Sequence, residues 1–342
     1  MLKCSGVDMR HTYRDREVSS PEVFFDRRRF LSSLGLGLLA GSSMRCARGP
    51  RRIPDELLEP PFERPELFPA SRAVRYELPS SITRKKLTPR EVAGSHNNFY
   101  EFLAGQGGPV GRHVARFEVE PWKVEVSGEC HHPATFDLDD LFAFDHEERV
   151  YHFRCVERWA MNVPWSGFEL RKLLEKVEPK SGAQYVRFTS AYVPDQMPGT
   201  RTTWYPWPYQ EALTLAEAMN ELVLVGTGVY GRPLLKQHGA PVRIVVPWKY
   251  GYKNPKSIVR IELLEQRPRT FWQIQPHEYG FISNVNPNIP HPRWSQEHSF
   301  WLDGGGRFPT PLFNGYEEHV AHLYPDEPRH PQPPLGPNEV AR

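Results

Sequence analysis

The residues with the clearest capacity for chemistry surround Cys155, in the run YHFRCVERWAMNVPWSG that spans 151–167. Arg154, Glu157 and Arg158 flank the cysteine and tryptophans follow it, surroundings that are typical of a thiolate held for a purpose. The sequence contains no C-x-x-C pair, which excludes a thioredoxin motif and a four-thiolate zinc or iron–sulfur site. A single soft thiolate suits a transition metal whose other ligands come from a cofactor.

Four other runs combine amide, aromatic and basic residues. They are 97–101 (NNFYE), 194–199 (PDQMPG), 238–243 (HGAPVR) and 247–253 (PWKYGYK). Together with the cysteine run, and in this order, they resemble the sulfite-oxidase family of molybdenum enzymes, in which one Cys ligates molybdenum beside a pterin dithiolene. The resemblance covers roughly 88–300 and is closest to the catalytic subunits of periplasmic protein-methionine-sulfoxide reductases.

This resemblance implies a role for ten residues, and two more complete the candidate site. Cys155 would be the metal ligand, and Glu157 and Asn98 are the candidates for the catalytic group beside it. One Mo-molybdopterin per chain would be held by nine residues: Asn97, Tyr100, Glu101, Ser190, His238, Arg243, Asn254, Pro255 and Lys256. Arg243 and Lys256 suit the terminal phosphate of the pterin, since arginine offers a fork of donors and lysine a point charge.

Several of these positions depart from the family pattern. Ser190 stands where threonine is usual, and it keeps the hydroxyl. His238 replaces an asparagine seen in some members, so its contact with the cofactor is expected to differ. Pro255 has no N–H, so a backbone donor expected at that position is missing.

Structural readings compete with some of these roles. Arg243 within an apolar strand is alternatively a buried salt-bridge partner, and Ser190 a turn residue. Glu157 is either a proton donor or substrate contact near Asn98, or an ion-pair partner of Arg154 or Arg158, and the residues support both readings equally.

Two other sets of side chains are assigned to structure. The His131-His132 pair and the acidic run 137–140 lack the ligand spacing of a zinc site or an EF-hand, and are interpreted as a solvated turn and a helix cap. The tryptophans are interpreted as core and rim packing, with some lining a substrate cleft: Trp159, Trp165, Trp204, Trp207 and Trp248.

The surrounding pattern predicts an α+β domain with mixed sheets and irregular connections. Strands are expected at 123–127, 151–156, 185–190, 222–225, 241–248 and 256–264, because apolar residues alternate or run continuously there. Short helices are expected at 88–92 with Thr88 as the cap, and at 137–141, 167–177 and 213–219.

Charge is unevenly divided along the 342 residues. Residues 1–47 hold eight basic and five acidic groups, and the remaining 295 hold 35 and 36. A nearly neutral body has no long-range field for nucleic acid or an anionic bilayer, so neither partner is expected. The 35 prolines and four cysteines exclude a coiled coil and a disulfide-stapled miniprotein.

The basic excess has the form of an export signal. Arg27, Arg28 and Arg29 precede Phe30-Leu31 and a mildly apolar stretch, which resembles a twin-arginine leader over 1–47. This stretch is too short and too rich in Gly and Ser to span a membrane. A Pro-rich extended segment is expected at 48–87, and the molybdopterin-binding oxidoreductase domain at 88–342. The expected location is the periplasm.

The resemblance implies oxygen-atom transfer, with methionine sulfoxide in oxidised periplasmic proteins as the substrate. No flavin, haem or iron–sulfur motif is present in the sequence, so electrons are expected from outside, from a membrane haem-binding subunit that draws on the quinone pool. Reduction of small S- or N-oxides and sulfite oxidation are alternatives within the family. A secreted non-enzymatic binding domain with a Cys130–Cys155 disulfide is an alternative of another class.

Overall fold

The structure is a computed structural model that describes residues 54–104, 106, 109–336 and 339–341. The predicted twin-arginine leader lies outside these residues. Within them, thirteen strands are formed: β1 (Ser71–Arg72), β2 (Lys123–Gly128), β3 (Ala134–Asp137), β4 (Glu147–Arg154), β5 (Trp159–Glu169), β6 (Tyr185–Ser190), β7 (Gln210–Thr214), β8 (Leu224–Val229), β9 (Arg232–Pro233), β10 (Arg243–Val245), β11 (Ile258–Leu264), β12 (His298–Trp301) and β13 (Arg307–Pro309).

An eight-stranded sheet carries the cysteine run. Its main order is β1-β4-β5-β12-β13, and β8 joins the sheet through β5 and itself pairs with β9 and β10. The centre is the antiparallel pair β4 and β5, whose register runs from Glu147 opposite Gly167 to Arg154 opposite Ala160. All eleven residues of β5 are buried, because the strand has neighbours on both edges and packed layers on both faces.

The second sheet has five strands in the order β3-β2-β11-β6-β7. Its middle strand, β11, is parallel to β2 and antiparallel to β6. Ile258, Ile261 and Leu263 are buried on β11, while Arg260 is exposed, which is the pattern of a strand with one face on the core. Both sheets contribute to one hydrophobic core.

The α-helices among the described residues are short: α1 (Arg90–Ser95), α2 (Tyr100–Leu103), α3 (Leu138–Phe142), α4 (Leu170–Val177), α5 (Leu215–Ala218) and α6 (Glu317–Val320). They are joined by 3-10 turns at Asp55–Leu58, Val74–Tyr76, Val110–Arg112, Pro198–Arg201, Lys236–His238, Gly251–Lys253, Phe271–Ile274, Leu312–Gly315 and Ala321–Leu323. None of the described helices is long and apolar enough to cross a membrane.

The expected α+β architecture with mixed sheets is confirmed. Seven of the thirteen strands were not predicted, namely β1, β3, β5, β7, β9, β12 and β13, and the other differences lie at element boundaries. The predicted helix 167–177 begins only at Leu170, because Gly167, Phe168 and Glu169 pair with β8 and belong to β5. The predicted helix 213–219 is shortened to Leu215–Ala218, because Leu213 and Thr214 belong to β7, which pairs with β6. The strand predicted at 241–248 is reduced to Arg243–Val245.

Two predicted helix caps have different outcomes. Asp137 caps α3 through a reciprocal capping box with Asp140, as expected for a helix cap rather than a metal ligand. Thr88 does not cap α1; its hydroxyl instead accepts a 3.1 Å hydrogen bond from the backbone N–H of Asn162 on β5. The Thr88 hydroxyl, which the local pattern assigned to the helix cap, is therefore used in a long-range hydrogen bond to β5.

The described part of the Pro-rich segment, residues 54–87, lies against the body. Leu58, Phe68, Tyr76 and Ile82 are buried, and β1 extends the eight-stranded sheet by pairing parallel to β4. The side-chain amide of Asn162 donates to the carbonyls of Arg84 (2.8 Å) and Lys86 (3.0 Å). The segment is thereby tied to β5, the strand that follows Cys155.

Candidate active site

Cys155 lies in the tight turn that joins β4 to β5. Its carbonyl accepts a 2.9 Å hydrogen bond from the N–H of Arg158, and its own N–H donates to the carbonyl of Trp159 at 3.0 Å. Arg158 has φ = 78°, the left-handed conformation that a non-glycine residue rarely adopts, so the turn is held by its surroundings. The strand pair therefore fixes the thiol in position.

The thiol is at the wall of a cavity of about 810 Å³, counted out to open solvent. Eleven of the twelve predicted site residues line this cavity: Asn97, Asn98, Tyr100, Glu101, Cys155, Glu157, His238, Arg243, Asn254, Pro255 and Lys256. The twelfth, Ser190, is not part of the lining. It is buried beside Glu101. Burial raises the pKa of that carboxyl to about 7, and the Ser190 hydroxyl is one of the groups that oppose this rise.

The catalytic group predicted from the sequence is brought together. Asn98 Nδ2 donates to Glu157 Oε2 at 3.1 Å and lies 3.9 Å from Cys155 Sγ. Trp159 Nε1 donates to the same carboxylate oxygen at 3.1 Å. Arg154 contacts other groups: its guanidinium donates to Ser299 Oγ (3.0 Å) and to the carbonyl of Cys155 (2.6 Å). The ion pair between Glu157 and Arg154 is therefore not formed.

Burial dominates the electrostatics of this group. It raises the pKa of the Cys155 thiol, and the nearby Glu157 carboxylate raises it further. It also raises the pKa of Glu157, against the hydrogen bonds from Asn98 and Trp159. A bound cation reverses this preference, since a coordinating thiol is deprotonated outright.

Two cations also line the cavity, the buried Arg243 and the half-buried Lys256. Arg243 donates to the carbonyl of His238 at 2.8 Å, and its guanidinium lies 4.7 Å from the ring centre of Trp165. Lys256 Nζ donates to the carbonyl of Asn98 at 2.8 Å. Among the described residues, neither cation has a carboxylate within salt-bridge distance, so Arg243 is not the buried salt-bridge partner of the competing reading.

These cations are costly to bury without an anion. Burial lowers the pKa of Arg243 to about 9. Burial, and then the repulsion from Arg243, lower the pKa of Lys256 to about 7. An anion placed between them would restore both pKa values and satisfy the donors, and a phosphate is the anion that Arg and Lys most readily bind.

Other buried polar atoms around the cavity also lack a hydrogen-bond partner among the described residues. Both side-chain atoms of Asn97 (Nδ2 and Oδ1) and the Nδ1 of His238 are buried without a hydrogen bond in the described part of the chain. The other ring nitrogen of His238 lies 3.1 Å from the carbonyl of Ala93, which leaves Nδ1 for another group. Since buried polar atoms are normally satisfied, these positions fit a ligand rich in donors and acceptors. A pterin that carries a phosphate has this chemistry.

Asn254 and Pro255 accept hydrogen bonds from the backbone of the neighbouring strand segment and so support the cavity wall. The Asn254 side chain accepts from the N–H of Val246 at 2.7 Å, and the Pro255 carbonyl accepts from the N–H of Ile244 at 3.0 Å. The amide of Asn254 is thus committed to holding its loop against β10. A ligand could therefore contact only those atoms of Asn254 and Pro255 that face the cavity.

The structure adds aromatic residues that the sequence interpretation did not assign to the site. Trp272 and Tyr279 line the cavity and stack with ring centres 4.7 Å apart, and Tyr209 and Tyr252 also line it. Trp159 and Trp165 line it as the tryptophan interpretation allowed, whereas Trp248 is fully buried in the core. For Trp272 and Tyr279, the only indication in the sequence was the density of aromatic residues after 266, which recur there without a regular period.

The two cysteines of the described chain are both free and buried, so the Cys130–Cys155 disulfide is wrong. Cys130 does not line the cavity, and it forms an isolated β-bridge with Pro179. In the described residues, no group of three or more His, Cys, Asp and Glu side chains is arranged to hold a metal ion. Cys155 would thus have to share a metal with ligands from a cofactor.

The fold and the site together fit an anionic, polar cofactor beside a single thiol. Comparison with known families agrees: residues 111–272 match the family described as "Oxidoreductase molybdopterin binding domain". The cavity extends beyond the matched region, because 97–101 precedes it.

The chain is also similar to a solved structure, the sulfane dehydrogenase SoxCD from Paracoccus pantotrophus. The two share 16% sequence identity with a TM-score of 0.40, and the match covers 60% of this chain and 56% of that one. The chain therefore spans about half the length of that relative.

Proposed function

We propose that this protein is a periplasmic molybdenum enzyme that reduces methionine sulfoxide in oxidised proteins to methionine. The observation that carries the proposal is the meeting of Cys155, Asn98 and Glu157 in one cavity that is also lined by the cations Arg243 and Lys256. The matched domain supplies the cofactor class, and the resemblance of the separated motifs supplies the substrate.

In this proposal Cys155 would ligate molybdenum. The pterin would be held by Asn97, Tyr100, Glu101, Ser190, His238, Arg243, Asn254, Pro255 and Lys256, with Arg243 and Lys256 as the donors to its phosphate. When bound, the cofactor supplies two-electron chemistry for oxygen-atom transfer. The overall reaction balances as sulfoxide plus two electrons and two protons giving thioether and water.

The protein's own part is to orient the substrate and to handle protons. Asn98 Nδ2 is a donor at the thiol, where it can hydrogen-bond a sulfoxide oxygen. Glu157 Oε2 accepts from both Asn98 and Trp159, which fixes the carboxyl group. Its other oxygen, Oε1, makes no hydrogen bond among the described residues and is the atom at which a proton is held for delivery.

The location and the electron source rest on the sequence. The leader resembles a twin-arginine signal, and that route exports proteins already folded around a cofactor. Electrons would come from a membrane haem-binding subunit and the quinone pool. Changing Arg27-Arg28 to Lys-Lys should retain the precursor in the cytoplasm, and unchanged export would contradict the assigned location.

The test combines metal analysis with an assay. Protein made in a cofactor-competent host should contain molybdenum and should reduce methionine sulfoxide when a dithionite-reduced dye supplies the electrons. Sulfite with an electron acceptor, and a small N-oxide, are assayed beside it. Absence of molybdenum would overturn the cofactor assignment, whereas molybdenum with turnover of sulfite alone would overturn the substrate.

A further inference from the structure

One large aromatic side chain outside the cavity lining is exposed to solvent. Trp204 is 57% exposed, although a tryptophan usually buries most of its surface. The side chain is nevertheless held in place, because its ring stacks on Tyr205 with ring centres 3.8 Å apart and planes at 28°. One face of the indole is therefore packed, and the rest is open to solvent.

Ring contacts connect this exposed tryptophan to the cavity wall. Tyr205 lies 5.7 Å from the ring centre of Tyr100 and 5.9 Å from that of Trp272, both edge to face. Tyr100 and Trp272 line the cavity and themselves meet at 4.8 Å. Ring contacts through Tyr205 thus connect two residues of the cavity lining to the exposed indole.

The segment that carries Trp204 is held rigidly against the site. An added Cβ at Gly199 would overlap the carbonyl of Tyr100, so the two backbones are in direct contact. The hydroxyl of Thr202 donates to the carbonyl of Ala104 at 3.1 Å, and Trp207 Nε1 donates to the carbonyl of Thr202 at 3.0 Å. On the far side, Tyr205 stacks on Phe271 at 5.3 Å. The indole is therefore presented in advance of binding, which reduces the entropy lost when a ligand is bound.

We infer that Trp204 is a specificity-determining residue that binds an apolar side chain next to the oxidised methionine of a polypeptide substrate. The inference rests on the proposed function and adds to it a subsite outside the cavity. Trp204 does not line the cavity, so a free amino acid sulfoxide bound there leaves it without a contact, whereas a polypeptide has neighbouring residues on both sides of its methionine. Among the described residues no cation lies over the indole, and such an aromatic face favours aliphatic and aromatic neighbours over charged ones.

The experiment compares three substrates in the dithionite-reduced dye assay on molybdenum-loaded protein. They are free methionine sulfoxide, a short peptide with methionine sulfoxide between leucines, and the same peptide with glycines in place of the leucines. Trp204→Ala should lower kcat/KM for the leucine peptide roughly tenfold, the effect of losing one good aromatic contact. It should leave the other two substrates unchanged.

Two control variants accompany it. Trp204→Phe keeps an aromatic face and should restore most of the loss. Val74→Ala truncates another exposed apolar residue, one that does not line the cavity, and should match the wild type.

Each other outcome overturns the inference. Equal losses on all three substrates, or none on the leucine peptide, would remove the subsite while leaving the proposed function intact. A loss seen only when the membrane donor replaces the dye would assign Trp204 to donor docking instead. A wild-type protein that reduces none of the three would remove the proposed function, and the subsite with it.

Discussion

Lys256 Nζ donates a 2.8 Å hydrogen bond to the backbone carbonyl of Asn98, the residue whose side chain donates to Glu157 Oε2. A cation assigned to the cofactor phosphate thus also holds the residue that lies beside the thiol. Cofactor binding and the placement of Asn98 are physically joined through one ammonium group. Substitution at Lys256 is expected to affect both.

Lys256→Gln should lower the molybdenum content by roughly tenfold or more, since it removes one of the two cations proposed to bind the phosphate. Lys256→Arg keeps the positive charge and should recover part of the lost molybdenum content. Metal analysis of purified protein makes the measurement. Lys123→Gln, an exposed lysine on β2, is the control and should load normally. Normal loading of Lys256→Gln would contradict the phosphate role.

The two buried cysteines form a natural pair for testing the metal ligand. Cys155→Ser should abolish molybdenum-dependent turnover, because a serine hydroxyl does not replace a soft thiolate. Cys130→Ser should lose about 1 to 3 kcal/mol of unfolding free energy, since it buries a hydroxyl, and should keep its turnover per bound molybdenum. Circular dichroism checks that both variants fold. Full turnover in Cys155→Ser would show that the ligand lies elsewhere.

Glu157→Gln tests the proton role with little change of shape. The amide oxygen of glutamine can still accept from Asn98 and Trp159, so the cavity should stay assembled and the molybdenum content should stay at the wild-type level. The variant cannot hold a transferable proton, and kcat should fall about 10²-fold to 10⁴-fold. Stopped-flow oxidation of reduced enzyme by methionine sulfoxide gives the rate. A variant with unchanged kcat would reduce Glu157 to a structural role.

The residues that the sequence identified and those it missed differ in physical kind. Cys155, Asn98 and Arg243 stand in short runs whose residue types are chemically unusual, so a resemblance to a family finds them one run at a time. Trp272 and Tyr279 come from a segment with no period, and only tertiary folding brings them to the cavity. No local pattern could have assigned them.

The same distinction holds for the fold. The capping box of Asp137 and Asp140 is a contact three residues apart, and it was predictable from the sequence. The extension of β5 through Gly167, Phe168 and Glu169 depends on pairing with β8, from Gly226 to Leu224. Local propensity reads these residues as the start of a helix, and the distant strand decides otherwise.

Acid should destabilise the protein through buried histidines, and His152 on β4 is a clear case. Burial lowers its pKa to about 4 from an ordinary value of 6.5. Between these pH values the unfolded chain takes up a proton that the folded protein refuses, so stability is lost as the pH falls from 6.5 to 4. The effect of this one group is at most about 3 kcal/mol.

His152→Gln removes the titrating ring and should make the unfolding free energy fall less steeply over that pH range. Urea unfolding at a series of pH values measures the slope. His131→Gln, in an exposed turn, should leave the slope unchanged. An identical slope in the wild type and in His152→Gln would mean that other groups cause the acid sensitivity.

Gly199 tests whether the 194–199 run supports the cofactor site from behind. A methyl group at this position would meet the carbonyl of Tyr100, so Gly199→Ala must push α2 and the residues Tyr100 and Glu101 away from their places. We expect a loss of about 1 to 3 kcal/mol in unfolding free energy, together with a lower molybdenum content. Gly182→Ala is the matched control, because its nearest neighbour is a flexible Glu129 side chain at 3.7 Å. If thermal unfolding and metal analysis show both alanine variants to be alike, the close approach of the two backbones does not support the site.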